Sequence, residues 1–384
     1  MKIWLVAGED SGDQLGAKLI ASLRDLAPGP LAFGGVGGEA MAAHGFASLF
    51  PLDDVAVMGY LPVLARLRTL LRRIRQTVDD VVAHRPDVLV IIDSPGFTHA
   101  VAARVRRRMP DLPIIDYVSP SVWAWRPWRA KGMRRFVDHV LALLPFEPEA
   151  HRRLDGPPCT YVGHPLIERF SELRPDAGDA AAREARPWSV AVLPGSRRSE
   201  IERLMPVFGE TLARLARTVG PVEAVLPAVT RHRALIERLA VAWDAPVRIV
   251  AGEAAKYAAF RRARAALAAS GTVTLELALA GVPMVVAYKV SRIEEAVARR
   301  LIQVPTIVLP NLILGRNAMP EFVQADCTAD RLVDALAPLV TGGQARDRQV
   351  AALERIDGLM RLPDDEAPSR SAARVVLAAI TTGT

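Results

Sequence analysis

The chain of 384 residues is long enough for two hydrophobic cores, and its 51% hydrophobic and 24% charged residues exclude a disordered tail protein. A mean hydropathy of +0.17, a pI of about 9.8 and a formal charge of +7 point to some apolar surface and to an anionic partner: nucleic acid, a membrane surface or a phosphorylated substrate. The only cysteines, Cys159 and Cys327, exclude a disulfide framework and a C-x-x-C metal or redox site, which fits the cytosol.

Short β-branched or leucine-rich runs alternate with longer helical stretches from Ile3 onward, the pattern of parallel strands joined by crossover helices, so the fold class is α/β. Strands are predicted in the first half at residues 3–7, 31–33, 88–92, 114–118 and 140–144. Ligands of open parallel sheets bind outside the carboxyl ends of the strands, which places Gly8, Asp93 and Ser119 on one crevice. Residues 169–187 lose the strand pattern and gain Pro, Asp, Gly and Ala, the composition of a linker between a domain over 1–168 and another over 188–365. In the second domain strands are predicted at 190–193, 222–226, 247–250, 265–268 and 284–287, and a final helix at 369–380. The expected architecture is two Rossmann-like domains facing a central crevice. No run reaches the roughly 18 apolar residues of a spanning helix, and the opening MKIWLVAGEDSGD turns acidic too early for a signal peptide.

The stretch Ala7-Gly8-Glu9-Asp10-Ser11-Gly12-Asp13 puts glycines where a strand turns into a helix, without the G-x-G-x-x-G fingerprint. Its carboxylates would repel a pyrophosphate, so it reads either as a polar pocket for sugar hydroxyls or as a turn capped by Asp10 or Ser11. Asp93, in Ile92-Asp93-Ser94-Pro95-Gly96-Phe97, is either a proton acceptor for an attacking hydroxyl or a helix N-cap. The loop after Tyr117 gathers Trp123, Trp125 and Trp128 beside Arg126 and Arg129, which suits stacking on sugar or acyl groups and holding phosphate, or plain packing. No recognition motif for nucleic acid accompanies it, and none is expected to bind.

Further on, the amides of Gly195 and Ser196 with the Arg197 guanidinium form a candidate diphosphate cradle at a helix start, although the loop is no Walker A sequence. Ser270, Gly271 and Thr272, followed by Glu276, make a second such junction, with hydroxyls for phosphate and a carboxylate for ribose. Either junction alone reads as capping; two at the strand ends of one sheet favour a nucleotide site. The stretch from Pro310 to Arg316 stays ambiguous on physical grounds. With no D-x-D, no H-E-x-x-H and seven scattered histidines, neither a metal nor a cofactor is expected, and His164 reads as structural.

The stretches AGEDSGDQLGA, GVGG, VMGY, IDSPGF, YVSPSVWAWR, LPFE, VGHP, LPGSRRSEI, ASGTVTLELAL, PMVVAYK and LPNLILGR occur in the order seen in lipid-A-disaccharide synthases, and the chain resembles that family from about residue 3 to 335. The resemblance implies a B-type glycosyltransferase fold with the nucleotide on the second domain and a last helix, 366–384, crossing back to the first. It implies transfer of 2,3-diacylglucosamine from its UDP donor to 2,3-diacylglucosamine 1-phosphate, giving a β-1,6 disaccharide and UDP without a metal. By position, Asp93 matches the family's presumed base, Glu9 and Ser11 match polar residues near a sugar, and Arg197, Ser270, Glu276, Asn311 and Arg316 match nucleotide-side motifs. Gly96 and Thr98 stand where relatives often carry Asp and Asn, and Asp10 where a small residue is common. The alternatives are another UDP-sugar glycosyltransferase or an epimerase of the same fold, or a non-enzymatic basic module.

Residues 57–74 add a membrane expectation. Leu64, Leu67, Leu71 and Ile74 form a core-like seam, Leu61, Val63 and Leu70 are apolar beyond it, and Arg66, Arg68, Arg72, Arg73 and Arg75 supply charge. Such a helix suits the inner face of the cytoplasmic membrane, or simply covers a sheet.

Overall fold

The computed structural model describes residues 1–56, 66–291, 294–295, 301 and 304–382. Two compact units emerge: Met1–Ile167 with Arg361–Thr384, and Glu168–Met360. In the first, β1 (Lys2–Ala7), β2 (Ala32–Val36), β3 (Val88–Ile92), β4 (Ile114–Tyr117), β5 (His139–Ala142) and β6 (Cys159–Tyr161) form a parallel sheet in the order β2-β1-β3-β4-β5-β6. Its helices are α1 (Asp10–Leu26), α2 (Glu39–Ala42), α3 (Leu67–His84), α4 (Thr98–Arg108), α5 (Trp128–Met133) and α6 (Glu147–Arg153). Alternation along β1 sends Ile3, Leu5 and Ala7 into the core with Leu19 and Ile20 of α1, and Trp4 and Val6 into the opposite core with Val78 and Val101. Because helices cover both faces, β3 is apolar and buried throughout, as VLVII.

The buried face of α3 is Ile74, Thr77, Val78 and Val81, with Leu70 packed against it. That corrects the expected seam: Leu67 and Leu71, one helical position round from this face, are 44% and 40% exposed. Leu61, Val63 and Leu64 lie outside the described residues. Arg73 also leaves the expected charged surface, since it pairs with Asp54 and its guanidinium lies 4.6 Å from the Phe50 ring centroid.

The second unit begins with α7 (Phe170–Leu173) and α8 (Ala177–Glu184), two short helices within the segment 169–187 whose composition is that of a linker. Asp176 caps α8 through the Asp179 amide at 2.7 Å. Asp179 then binds Arg261 and Arg262, and Arg183 donates to the carbonyls of Phe260, Arg261, Ala280 and Gly281. Six strands follow, β7 (Trp188–Leu193), β8 (Val222–Ala228), β9 (Val247–Ala251), β10 (Ala265–Ala269), β11 (Met284–Tyr288) and β12 (Glu321–Val323), parallel in the order β12-β11-β10-β7-β8-β9. The helices among and after them are α9 (Arg198–Val219), α10 (Arg233–Ala240), α11 (Glu253–Arg262), α12 (Thr272–Leu279), α13 (Leu309–Leu314), α14 (Ala329–Thr341) and α15 (Gln344–Met360). Ile201, Leu204, Phe208, Leu212 and Leu215 recur at helical spacing down α9 and meet Leu332, Leu336 and Leu339 of α14 in the core. A last helix, α16 (Pro368–Thr382), belongs to the first unit, where Ala372, Ala373 and Val376 are fully buried against the α1 side of the sheet.

Candidate active site

Each sheet reverses its strand order at one place, between β1 and β3 in the first unit and between β7 and β10 in the second. Crossover helices depart to opposite faces there, which leaves a crevice at the carboxyl ends of those strands. Glu9, Ser11 and Asp93 follow the strands at the first of these points, and Gly195 to Arg197 and Ser270 to Thr272 follow the strands at the second.

In the first unit residues 8–11 follow β1 and Asp93 follows β3. Gly8 lets the two loops touch, since a Cβ on it would lie 2.4 Å from Ser94 Cβ. Asp93 and Ser94 both adopt left-handed backbone, at φ 55 and 43, which costs about 1 kcal/mol or more each. The strain is held by the surroundings. The Asp93 amide donates to Tyr117 O at 3.0 Å, and the Thr98 hydroxyl lies 2.7 Å from Asp93 O and 3.1 Å from Ser94 O.

The Asp93 side chain receives Ser11 Oγ on Oδ2 at 2.8 Å and its neighbour's Ser94 amide on Oδ1 at 2.7 Å. Glu9 stands close enough to feel it: burial first, then the Asp93 charge, push the Glu9 carboxyl above the usual carboxylate range, with Asp10 adding and a hydrogen bond from Ser94 opposing. Two carboxylates and two serines thus meet on one crevice, an arrangement able to orient a hydroxyl and take its proton. Asp13 does other work, accepting the amides of Gly38, Ala40 and Met41 at 2.7, 2.8 and 3.1 Å and so capping α2.

The tryptophan loop follows β4. Trp123 donates its indole N–H to Glu147 Oε1 at 3.0 Å, and Glu147 Oε2 accepts the amides of Leu143 and Leu144 at 3.1 and 2.9 Å. Burial pushes the Glu147 carboxyl up to about 7, against the pull of these three bonds. Leu143 and Leu144 turn toward this carboxylate, which is why β5 stops at Ala142 rather than running on to residue 144. Arg126 stacks on Trp125 at 4.2 Å, and Trp128 is 62% exposed.

In the second unit the loop after β7 differs from the expected open cradle. Gly195, at φ 109, packs so tightly that a Cβ would lie 2.5 Å from Glu200 Oε2. That buried carboxylate accepts the Ser196 and Arg197 amides at 3.1 and 3.2 Å, the Arg197 guanidinium at 2.8 Å and the Tyr288 hydroxyl at 3.0 Å. The Ser196 and Arg197 amides are therefore both spent on Glu200, the Arg197 amide as the N-cap donor of a capping box, while the mostly exposed Arg197 side chain stays at the surface. After β10, Gly271 at φ 145 and Thr272 are exposed at the start of α12, and Ser270 Oγ donates to Ile307 O at 2.6 Å. Glu276 accepts Lys256 Nζ at 2.9 Å, a partner on α11 that no local pattern announces.

Asn311 holds the backbone together. Its Oδ1 accepts the Ala318 and Met319 amides and its Nδ2 reaches Thr306 Oγ1 and Met319 O. Arg316, five residues on, is exposed. Among the described residues no three His, Cys, Asp or Glu converge as a metal would require.

The sequence profile described as lipid-A-disaccharide synthetase matches residues 3–375. The chain is 53% identical over 376 residues to a lipid-A-disaccharide synthase from Nitrobacter hamburgensis, covering 98% of this chain and 95% of that one. It is 40% identical over 385 residues to one from Paramagnetospirillum magneticum, covering 98% and 97%. In three dimensions it is similar to a UDP-GlcNAc 2-epimerase from Neisseria meningitidis bound to UDP-GlcNAc, with a TM-score of 0.60, 12% identity and full coverage of both chains. It is also similar to MurG from Acinetobacter baumannii, with a TM-score of 0.57, 13% identity and 99% coverage of both. At such identities these two structures establish the fold alone, two Rossmann-like domains of the B-type glycosyltransferase class.

Proposed function

This chain belongs to the lipid-A-disaccharide synthase family, and on that premise we propose that it transfers 2,3-diacylglucosamine from its UDP donor to the 6-hydroxyl of 2,3-diacylglucosamine 1-phosphate. The products are the β-1,6-linked disaccharide 1-phosphate and UDP. The observation that carries the chemistry is the Asp93, Glu9 and Ser11 cluster at the strand-order reversal of the first unit. Asp93 takes the proton from the 6-hydroxyl as its oxygen bonds to the donor's anomeric carbon; the bond to the diphosphate breaks, and the anomeric centre inverts. Ser11 holds the carboxylate in place. Incubation with the two acylated precursors, read by mass, is expected to give the disaccharide and UDP; recovery of both precursors unchanged would sink the assignment. The epimerase alternative has only fold likeness behind it, at 12% identity.

The second unit is the nucleotide side in this reading, with Arg197 and the exposed amides at Gly271 and Thr272 facing the diphosphate and Glu276 the ribose. Arg197→Ala is expected to weaken UDP binding roughly tenfold or more, the worth of one charge-assisted bond. Calorimetry with and without a chelator checks it; equal affinity in parent and variant would remove Arg197 from the site.

Among the described residues no helix is long and apolar enough to cross a membrane. A peripheral contact at the inner face of the cytoplasmic membrane fits the acylated substrates, and exposed Leu67 and Leu71 beside exposed Arg68, Arg72 and Arg75 support α3 as part of it. Changing these three arginines to Glu is expected to reduce binding to anionic vesicles, as is high salt for the parent protein. Vesicle binding indifferent to both would exclude this surface.

A further inference from the structure

Half-buried arginines among the described residues have carboxylate or carbonyl partners, with two exceptions. Among the described residues, Arg73, Arg106, Arg169, Arg174, Arg203, Arg214, Arg261 and Arg370 pair with carboxylates, and Arg104, Arg183 and Arg346 donate to backbone carbonyls. Arg129 has neither, and Arg126 one turn before it has only the Trp125 ring. Their backbones are joined, Arg129 N to Arg126 O at 3.0 Å. Burial, then the charge of Arg126, pull the Arg129 pKa below the ordinary arginine value. Asp116, whose charge Arg129 also feels, is already bound to His99 Nε2 at 2.9 Å. Two guanidiniums that repel each other, partly desolvated and lacking a counter-ion, cost folding energy that the chain leaves unrelieved.

We infer that Arg126 and Arg129 form a subsite for a phosphate monoester, the 1-phosphate of the acceptor sugar. This rests on the reaction proposed above and adds to it the anchor that fixes the acceptor's orientation. The loop carrying the pair leaves β4, and β4 lies beside β3, whose end carries Asp93; the Asp93 amide is bonded to the last residue of β4, Tyr117. The β1 side of the crevice carries Glu9 and Asp10 and would repel a phosphate. Only one orientation of the acceptor therefore brings its hydroxyl to Asp93 and its charge to arginine, with planar forks matched to phosphate oxygens.

The experiment compares two acceptors, 2,3-diacylglucosamine with and without its 1-phosphate, in the parent, Arg129→Gln and Arg129→Lys. Arg129→Gln is expected to raise the KM for the phosphorylated acceptor roughly 10- to 100-fold, the loss of charge-assisted bonds, and to leave the KM for the other unchanged. Lysine, which keeps the charge without the fork, is expected to fall between. The unfolding temperature should hold or rise in Arg129→Gln, because an unpartnered half-buried cation is removed. A KM that moves equally for both acceptors, or a fall in unfolding temperature, would mark Arg129 as structural and overturn the subsite. Loss of anionic-vesicle binding in Arg129→Gln with acceptor KM unchanged would assign the pair to lipid headgroups instead, and also overturn it. Failure of the parent to make any disaccharide would count against the reaction itself, separately from the subsite.

Discussion

Asp93→Asn is expected to cut turnover by roughly 10²–10⁴-fold, about 3–5 kcal/mol of transition-state stabilisation, with UDP affinity and thermal unfolding unchanged. Asparagine is a clean substitution here. It tolerates the left-handed backbone at φ 55, and its side-chain oxygen can still accept the Ser94 amide. What it cannot do is take a proton. The exchange also removes the charge that helps push the Glu9 carboxyl upward, so any acid limb due to Glu9 in the residual activity should move to lower pH. Turnover within a few-fold of the parent would eliminate Asp93 as the base.

The second large effect concerns Glu147. Its carboxyl is raised from 4.5 to about 7 in the folded protein. A raised acid stabilises the fold below its unfolded value and loses that contribution as pH rises through the folded value. The first unit should therefore lose up to about 3 kcal/mol between pH 4.5 and 8 from this group alone. His139 and His151 act in the opposite sense: burial depresses both, so their contribution is present above the ordinary histidine range and lost as pH falls. Urea unfolding of the parent and of Glu147→Gln across this range separates the two. The glutamine variant, in which an amide N–H must replace an acceptor of the Trp123 indole, should be less stable at pH 5 yet flatter toward pH 8. Identical slopes would mean that Glu147 does not titrate there.

Much of this was legible in the sequence, and the gaps have physical causes. Strands such as VLVII and the junctions at Gly8, Asp93 and Ser270 could be read because period, burial and turn chemistry all act locally. β6 and β12 were not, since three residues are too few to show a period. The helices over 170–184 were hidden by a loop-like composition and are secured by Arg183 and Asp179 bonds to residues about 80 to 100 positions away. At the site, the position of Asp93 at a strand end was legible, whereas the Ser11 bond to Asp93 and the Trp123 bond to Glu147 join residues 82 and 24 positions apart, which the chain order does not reveal. Glu200 did leave a signal, its place three residues after the helix cap.

The return of α16 to the first unit has a consequence for how the protein is made. A nascent chain leaves the ribosome amino end first, yet the face of α1 that α16 covers stays open until Pro368–Thr382 have been synthesised. The second unit is contiguous and has all its strands by Val323. Synthesis thus completes the later unit first and leaves the earlier one waiting, with Leu19 and Ile20 lacking the cover of Ala372 and Val376. A stop codon before Pro368 would remove α16, and it should yield aggregates, not a slightly shorter enzyme.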